Sequence, residues 1–191
     1  LASLMPRDCL ERRLTMFKDA GLEPRVVASP VGSLMELLPP EHADRAAVLS
    51  MGHTEAHLAL ISNATLRSAR TMRLGTRELE KDLAKLLGIS EAHAADYWRR
   101  IGLGDGDGTM DPGDVVRIQH AVRTALKGLA SHLFTTFKAL PDALMPETIY
   151  VTGDIAALDG ICGFLSEALE VNVVELNLKE SLEGFEPESQ V

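Results

Sequence analysis

The sequence predicts an α/β protein: a mixed sheet that begins with a three-strand meander, then a helical insertion and flanking helices. Three observations carry this. Strand-like segments at 46–51, 56–62 and 65–72, the first of them apolar, follow one another with only short polar turns between them. Leucine, valine and phenylalanine then recur every third or fourth residue within 79–137, which is a helical period. Apolar runs at 148–152 and 171–176 finally bracket another helical stretch.

In chain order, Asp8 followed by Glu11 reads as a capping box. Leu10, Leu14 and Phe17 keep helical spacing until Gly21, so a helix is expected over about 8–20. Beyond Pro24, Arg25-Val26-Val27-Ala28 reads as a short strand. Ser33 to Leu38 reads as a short apolar helix stopped by Pro39 and Pro40, with a loop over 40–44. After the three strands, whose last two are joined by Ser62-Asn63-Ala64, Thr76 is expected to cap a helix. That helix presents Leu79, Leu83, Leu86 and Leu87 on one face and ends at Gly88, and Ser90 caps another that runs to about Ile101. Gly102 to Gly113 has almost nothing to bury and reads as a loop or hinge. Val115, Ile118, Val122, Ala125, Leu129, Leu133 and Phe137 mark one long helix of about 25 residues. A buried strand at 148–152, a helix at 155–169, a last strand at 171–176 and an acidic tail at 179–191 complete the chain.

With 191 residues, 46% of them hydrophobic, the chain can bury one substantial core or two small lobes. Its 28 acidic and 19 basic residues give a net charge of −9, which repels nucleic acid and anionic lipid. Cys9 and Cys162 each sit in a helical apolar pattern, the place of reduced core thiols, which points to a reducing, cytoplasmic compartment. No run approaches the roughly 18 apolar residues of a membrane-spanning helix, so no membrane contact is expected within this stretch. The start, Leu1 to Pro6, is not a signal peptide, and without an initiator methionine the sequence reads as a fragment.

The most informative stretch is Val48 to Ile61, two strands joined by a glycine turn, with a second such turn at Ile149 to Asp154. A strand followed by a turn whose glycine lets backbone approach a ligand aims N–H groups at phosphate. The expected site residues are Ser50, Gly52, His53, Thr54, Gly153 and Asp154. A working nucleotide hydrolase of this kind needs a carboxylate beside the first turn to hold magnesium or orient water, and Ser50 stands there instead.

Other motifs read more plainly. His53, Glu55 and His57 alternate, and an extended segment would project all three from one face as a metal constellation. No fourth ligand is in view, so turn polarity is the preferred reading and no metal is expected. Asp105, Asp107 and Asp111 resemble the start of a calcium loop, but Met110 stands at its glycine and Val116 at its bidentate glutamate, which favours a solvated loop. Arg67, Arg70, Arg73 and Arg77 form a basic run in an acidic chain, either a docking face for an acidic partner or a solvated strand edge.

The order of elements resembles the second half of an actin-like ATPase, of partial ribonuclease H-like fold. The residues resemble the branch containing PilM of type IV pili and the cytoplasmic part of GspL in type II secretion. Ala20-Gly21-Leu22-Glu23-Pro24 is similar to its connector, Val48 to Ile61 to its second phosphate loop, Met72 to Leu87 to its next helix, Val116 to Phe137 to its long helix, and Ile149 to Leu176 to its adenosine end. The resemblance implies a connector from an absent N-terminal lobe over 1–45, a C-terminal lobe over 46–178 with a helical insertion at about 76–113, and a tail over 179–191.

The departures bear on function. The family's Asp-x-Gly becomes Ser50-Met51-Gly52, its adenosine Gly-Gly becomes Gly153-Asp154, and the first phosphate loop is missing. A degenerate nucleotide site, no ATPase activity and no cofactor are therefore expected, with ATP and magnesium belonging only to a PilM-like alternative. The resemblance leans to a GspL-like scaffold whose partners are the secretion or pilus ATPase and inner-membrane platform proteins. An apolar face left by the absent lobe would give a fragment a route to a homodimer.

Overall fold

The computed structural model describes residues 6–38, 40–104, 108 and 110–176. Its five strands are β1 (Ala46–Met51), β2 (Ala56–Ser62), β3 (Thr65–Met72), β4 (Thr148–Gly153) and β5 (Asn172–Glu175), in the order β3-β2-β1-β4-β5. The meander β1-β2-β3 is antiparallel, while β4 lies parallel to β1 and β5 parallel to β4, so the sheet is mixed as the sequence predicts. The β2–β3 hairpin closes on Asn63-Ala64 at φ 51° and 50°, the two positive φ values of a type I′ turn. The pairing of β2 with β3 steps from Leu60↔Ser68 to Ile61↔Leu66, leaving Arg67 as the extra residue of a bulge.

Strand alternation divides the core in two. On one face Ala47, Leu49 and Met51 of β1, Leu58 and Leu60 of β2, and Ile149 and Val151 of β4 meet four helices. These are α3 (Thr76–Leu87), α4 (Glu91–Arg100), α5 (Pro112–Lys138) and α6 (Ile161–Leu169), which contribute Leu83, Trp98, Ile118, Leu126, Leu133 and Leu165. Each such leucine stabilises the fold by about 2 kcal/mol relative to leaving it in water. The other face, with Ala46, Val48, Ala59 and Ile61, is covered by Val31, Leu34 and Leu38 from the short helix α2 (Pro30–Ser33) and the 3-10 turn after it. Buried on both faces, β1 reads as a continuous apolar run.

Local chemistry sets the helix ends. Gly88 ends α3 at φ 69°, and the Ser90 hydroxyl accepts from the His93 amide at the start of α4. Asp111 accepts from the Gly113 amide and Pro112 opens α5, so Asp111 serves as a helix cap. Asp105 and Asp107 lie outside the described residues, as do 177–191 with the expected tail.

Several expectations are corrected. The first helix, α1 (Arg7–Asp19), has no side-chain cap, because Asp8 and Glu11 instead face Arg12 and Arg7 one turn away. It does end on Gly21, through Gly21 N–H to Lys18 and Leu22 N–H to Phe17. Residues 25–28 form no strand and pair with no strand of the sheet, and Val26 is 81% exposed. The 33–38 helix is divided into α2 and the 3-10 turn Leu34–Leu37, and the 40–44 loop contains the 3-10 turn Pro40–His42. Thr76 lies inside α3, whose N-cap is Gly75, and Leu86 faces solvent at 52% exposure. The 155–169 helix is broken into the 3-10 turn Asp154–Ala157 and α6, with Gly160 at φ 81° between them. Cys9 is exposed on α1, which buries no residue. No helix among the described residues is long and apolar enough to cross a membrane.

The two thiols differ chemically. Burial, with Glu175 nearby, raises the Cys162 pKa above the ordinary thiol value. A raised pKa leaves less thiolate at a given pH, so iodoacetamide at about pH 8 should alkylate Cys9 first in the native protein, with Cys162 following more slowly. Peptide mass spectrometry over a time course checks the order, and equal rates would contradict it.

Candidate functional site

Parallel pairing brings the two glycine turns together. Ser50 lies opposite Thr152 and Met51 opposite Gly153, so the ends of β1 and β4 emerge side by side. Ser50, Gly52, His53, Thr54, Gly153 and Asp154 thus gather at one end of the sheet. The contact is tight. Gly153 has φ 84° and ψ −163°, and a Cβ there would stand 2.5 Å from the Met51 carbonyl oxygen. Gly52 is different, because a Cβ there would meet only the Glu55 oxygen at 3.7 Å. The fold demands glycine at 153 and leaves position 52 free.

The turn after β1 is closed by the Gly52 amide donating to the Glu55 carbonyl at 2.9 Å. Its outer carbonyls are then occupied by α3, with Thr76 N–H donating to Gly52 at 3.1 Å and Arg77 N–H to His53 at 2.9 Å. Gly75 permits this approach, since a Cβ there would overlap the His53 carbonyl. The first free amides of α3 are therefore committed to the turn and do not serve an anion. The amides of His53 and Thr54 have no hydrogen-bond partner among the described residues, and they are the donors left for a phosphate.

The sequence reading missed a polar row beneath these turns. Register places Thr71 of β3, His57 of β2, Ser50 of β1 and Thr152 of β4 side by side across four strands. His57 Nδ1 lies 3.1 Å from Thr71 Oγ1, and Thr152 is 93% buried by its 7% exposure. Hydroxyls and an imidazole can hold water or phosphate oxygens, but the row contains no carboxylate, so nothing in it supplies the charge magnesium needs. Its signal was present as alternate polar residues at the strand ends, but only register reveals the row.

His53, Glu55 and His57 do not converge. His53 and Glu55 belong to the turn, which is not extended as the alternation assumed, and His57 faces Thr71. His53 instead turns towards α3, with Nδ1 at 3.4 Å from Thr76 Oγ1 and 3.9 Å from Glu80 Oε2. Glu80, only 5% exposed, also accepts from Trp98 Nε1 at 3.2 Å and Arg99 Nη2 at 3.4 Å. This carboxylate ties the turn to both insertion helices, a second feature that the leucine period of α3 conceals. Among the described residues no three His, Cys, Asp or Glu side chains are grouped to hold a metal ion.

Beside the turn, a cavity of about 210 Å³ opens between α3 and α5. Met51, Leu74, Leu79, Leu126 and Ile155 give it apolar walls, and Glu78, Asp82 and His132 are exposed along it. A hydrogen bond from Lys81, reinforced by its charge, lowers the Glu78 pKa below the usual carboxylate value. The arginines lie elsewhere, with Arg67 and Arg70 on edge strand β3, Arg73 in the loop after it and Arg77 in the first turn of α3.

No protein-family model and no curated protein sequence matches the chain. Similar solved structures include a PilM-PilN type IV pilus biogenesis complex, at 24% identity and TM-score 0.73, covering 95% of this chain and 52% of that one. The ethanolamine utilization protein EutJ of Carboxydothermus hydrogenoformans matches at 20% identity and TM-score 0.64, covering 84% and 54%. MreB5 of Spiroplasma citri bound to AMPPNP matches at 16% identity and TM-score 0.73, covering 96% and 66%. The fold is actin-like, and the chain spans less than two thirds of each of these proteins.

Two substitutions separate the glycines. Gly153→Ala should cost more than about 2 kcal/mol through φ strain and overlap with Met51, whereas Gly52→Ala should change stability by less than about 1 kcal/mol. Urea unfolding midpoints read the difference, and equal losses would contradict the assigned geometry. Glu80→Ala should lose about 1–3 kcal/mol by leaving the buried Trp98 N–H unpaired. The same measurement checks it, with Trp98 fluorescence reporting the local change.

Proposed function

We propose that this chain is the C-terminal part of a non-catalytic actin-like scaffold at the cytoplasmic face of a bacterial inner membrane, a GspL-like component of a type II secretion platform. Its work is binding. It holds the cytoplasmic secretion ATPase to the membrane platform through helix and sheet surfaces and makes or breaks no bond itself. On this reading residues 1–45 connect to an N-terminal lobe. The observation that carries the proposal is Ser50, near the end of β1 and beside Thr152 of β4, a hydroxyl where the resembled family carries a carboxylate for magnesium. Asp154 adds negative charge at the neighbouring strand end, which opposes a nucleotide's phosphates.

A second reading is an ATP-binding, PilM-like pilus assembly protein, and two observations favour it. The unpartnered His53 and Thr54 amides, with a glycine at 52 that the fold does not require, suit a phosphate. The likeness to PilM in complex with PilN also supports a platform protein as partner.

Calorimetric titration of magnesium-ATP into the complete cytoplasmic region, with a Ser50→Asp version alongside, separates the two. The scaffold reading expects no heat from the native protein and binding restored by Ser50→Asp. Micromolar binding by the native protein would sink it in favour of the PilM-like alternative.

A further inference from the structure

The two edges of the sheet are unequal. β5 is four residues long, and beyond it Leu176 N–H donates to Val151 of β4. β3 has eight residues and pairs with β2 alone, and among the described residues no backbone group of Ser68–Met72 bonds to anything beyond that pairing. An edge strand of this kind offers a row of unpaired N–H and C=O groups. The bulge at Arg67 twists only its start, which leaves Ser68–Met72 regular against Leu60–Ala56.

Charge lies along the same edge. Arg67, Arg70, Arg73 and Arg77 are all exposed, and none of the four meets a carboxylate at ion-pair distance among the described residues. Arg45, Arg99 and Arg117, by contrast, each have an acidic neighbour. In a chain of net charge −9, Arg67 and Arg70 on β3, with Arg73 just beyond it and Arg77 at the start of α3, make a local reversal of sign. Like charge also disfavours pairing of this edge with its own copy, most of all in a register that sets Arg70 opposite Arg70. A strand carrying glutamate or aspartate meets the opposite condition.

We infer that the β3 edge accepts an extended acidic polypeptide segment of a partner protein as a sixth strand. Main-chain hydrogen bonds form along Ser68–Met72, and Arg70 and Arg73, flanked by Arg67 and Arg77, answer the carboxylates. The inference goes beyond the scaffold reading, since it names the shape and charge of what docks and holds whether or not the chain binds nucleotide.

The test uses three fluorescent nine-residue probes in about 0.1 M salt, a concentration that screens distant charge. One alternates glutamate with valine and threonine, one replaces each glutamate by lysine, and one keeps the glutamates but is N-methylated on alternate backbone nitrogens. Anisotropy should show binding of the first alone. An Arg70→Glu/Arg73→Glu protein, with its circular dichroism unchanged, should bind the first probe at least about tenfold more weakly. Hydrogen exchange should slow within 68–72 on binding. No binding of the acidic probe, equal binding of its N-methylated form, or binding indifferent to the arginine changes would overturn the inference.

Discussion

The contact on which the rest depends is the backbone approach of β1 to β4 at Met51 and Gly153. Parallel strands pair wherever a crossover returns the chain, but here the register ends at a residue that no side chain can occupy without striking a carbonyl. That closeness aligns the two strand ends and so places both turns at the same height. It also sets where α5 and α6, which flank β4 in sequence, lie over Leu49 and Val151. A register shifted by one residue would exchange the two faces of β1 and turn Ser50 into the apolar cluster beneath the helices.

Strands were the most legible part of the chain. The three meander strands were read with their observed limits, because β1 and β2 are buried runs and the Asn63-Ala64 hairpin leaves no slack. The long helix was legible from its period, with Asp111 and Pro112 marking a start that lay inside the expected loop. Errors fell where context overrode propensity. Arg25-Val26-Val27-Ala28 has strand chemistry but nothing to pair with, and a strand exists only as part of a sheet. Ile155 to Leu169 reads as one helix across Asp159-Gly160, yet Gly160 passes close to Leu103 at positive φ and interrupts it.

The site was half legible for a related reason. Glycines at strand ends were visible one turn at a time, and the structure brings them together. The polar row of Thr71, His57, Ser50 and Thr152 draws one residue from each of four strands, so no local window contains it. Glu80 was hidden differently, on a helix that reads as an ordinary leucine face with a charged reverse. A buried carboxylate is costly unless its lone pairs are answered, and here Trp98 and Arg99 answer them from a helix that follows in sequence but crosses in space.

Glu80 and the paired carbonyls of Gly52 and His53 make the base of α3 an anchor for the turn. The first turn of the helix is clamped to the loop by two main-chain bonds and a glycine contact, while its far end, at Leu86 and Gly88, reaches solvent. Along a helix length of about 18 Å, Leu79, Leu83 and Ala84 also seat it in the core. Because Trp98 and Arg99 hold α4 to the same carboxylate, the turn and both helices meet at one buried charge. A change at that single carboxylate therefore reaches three elements at once.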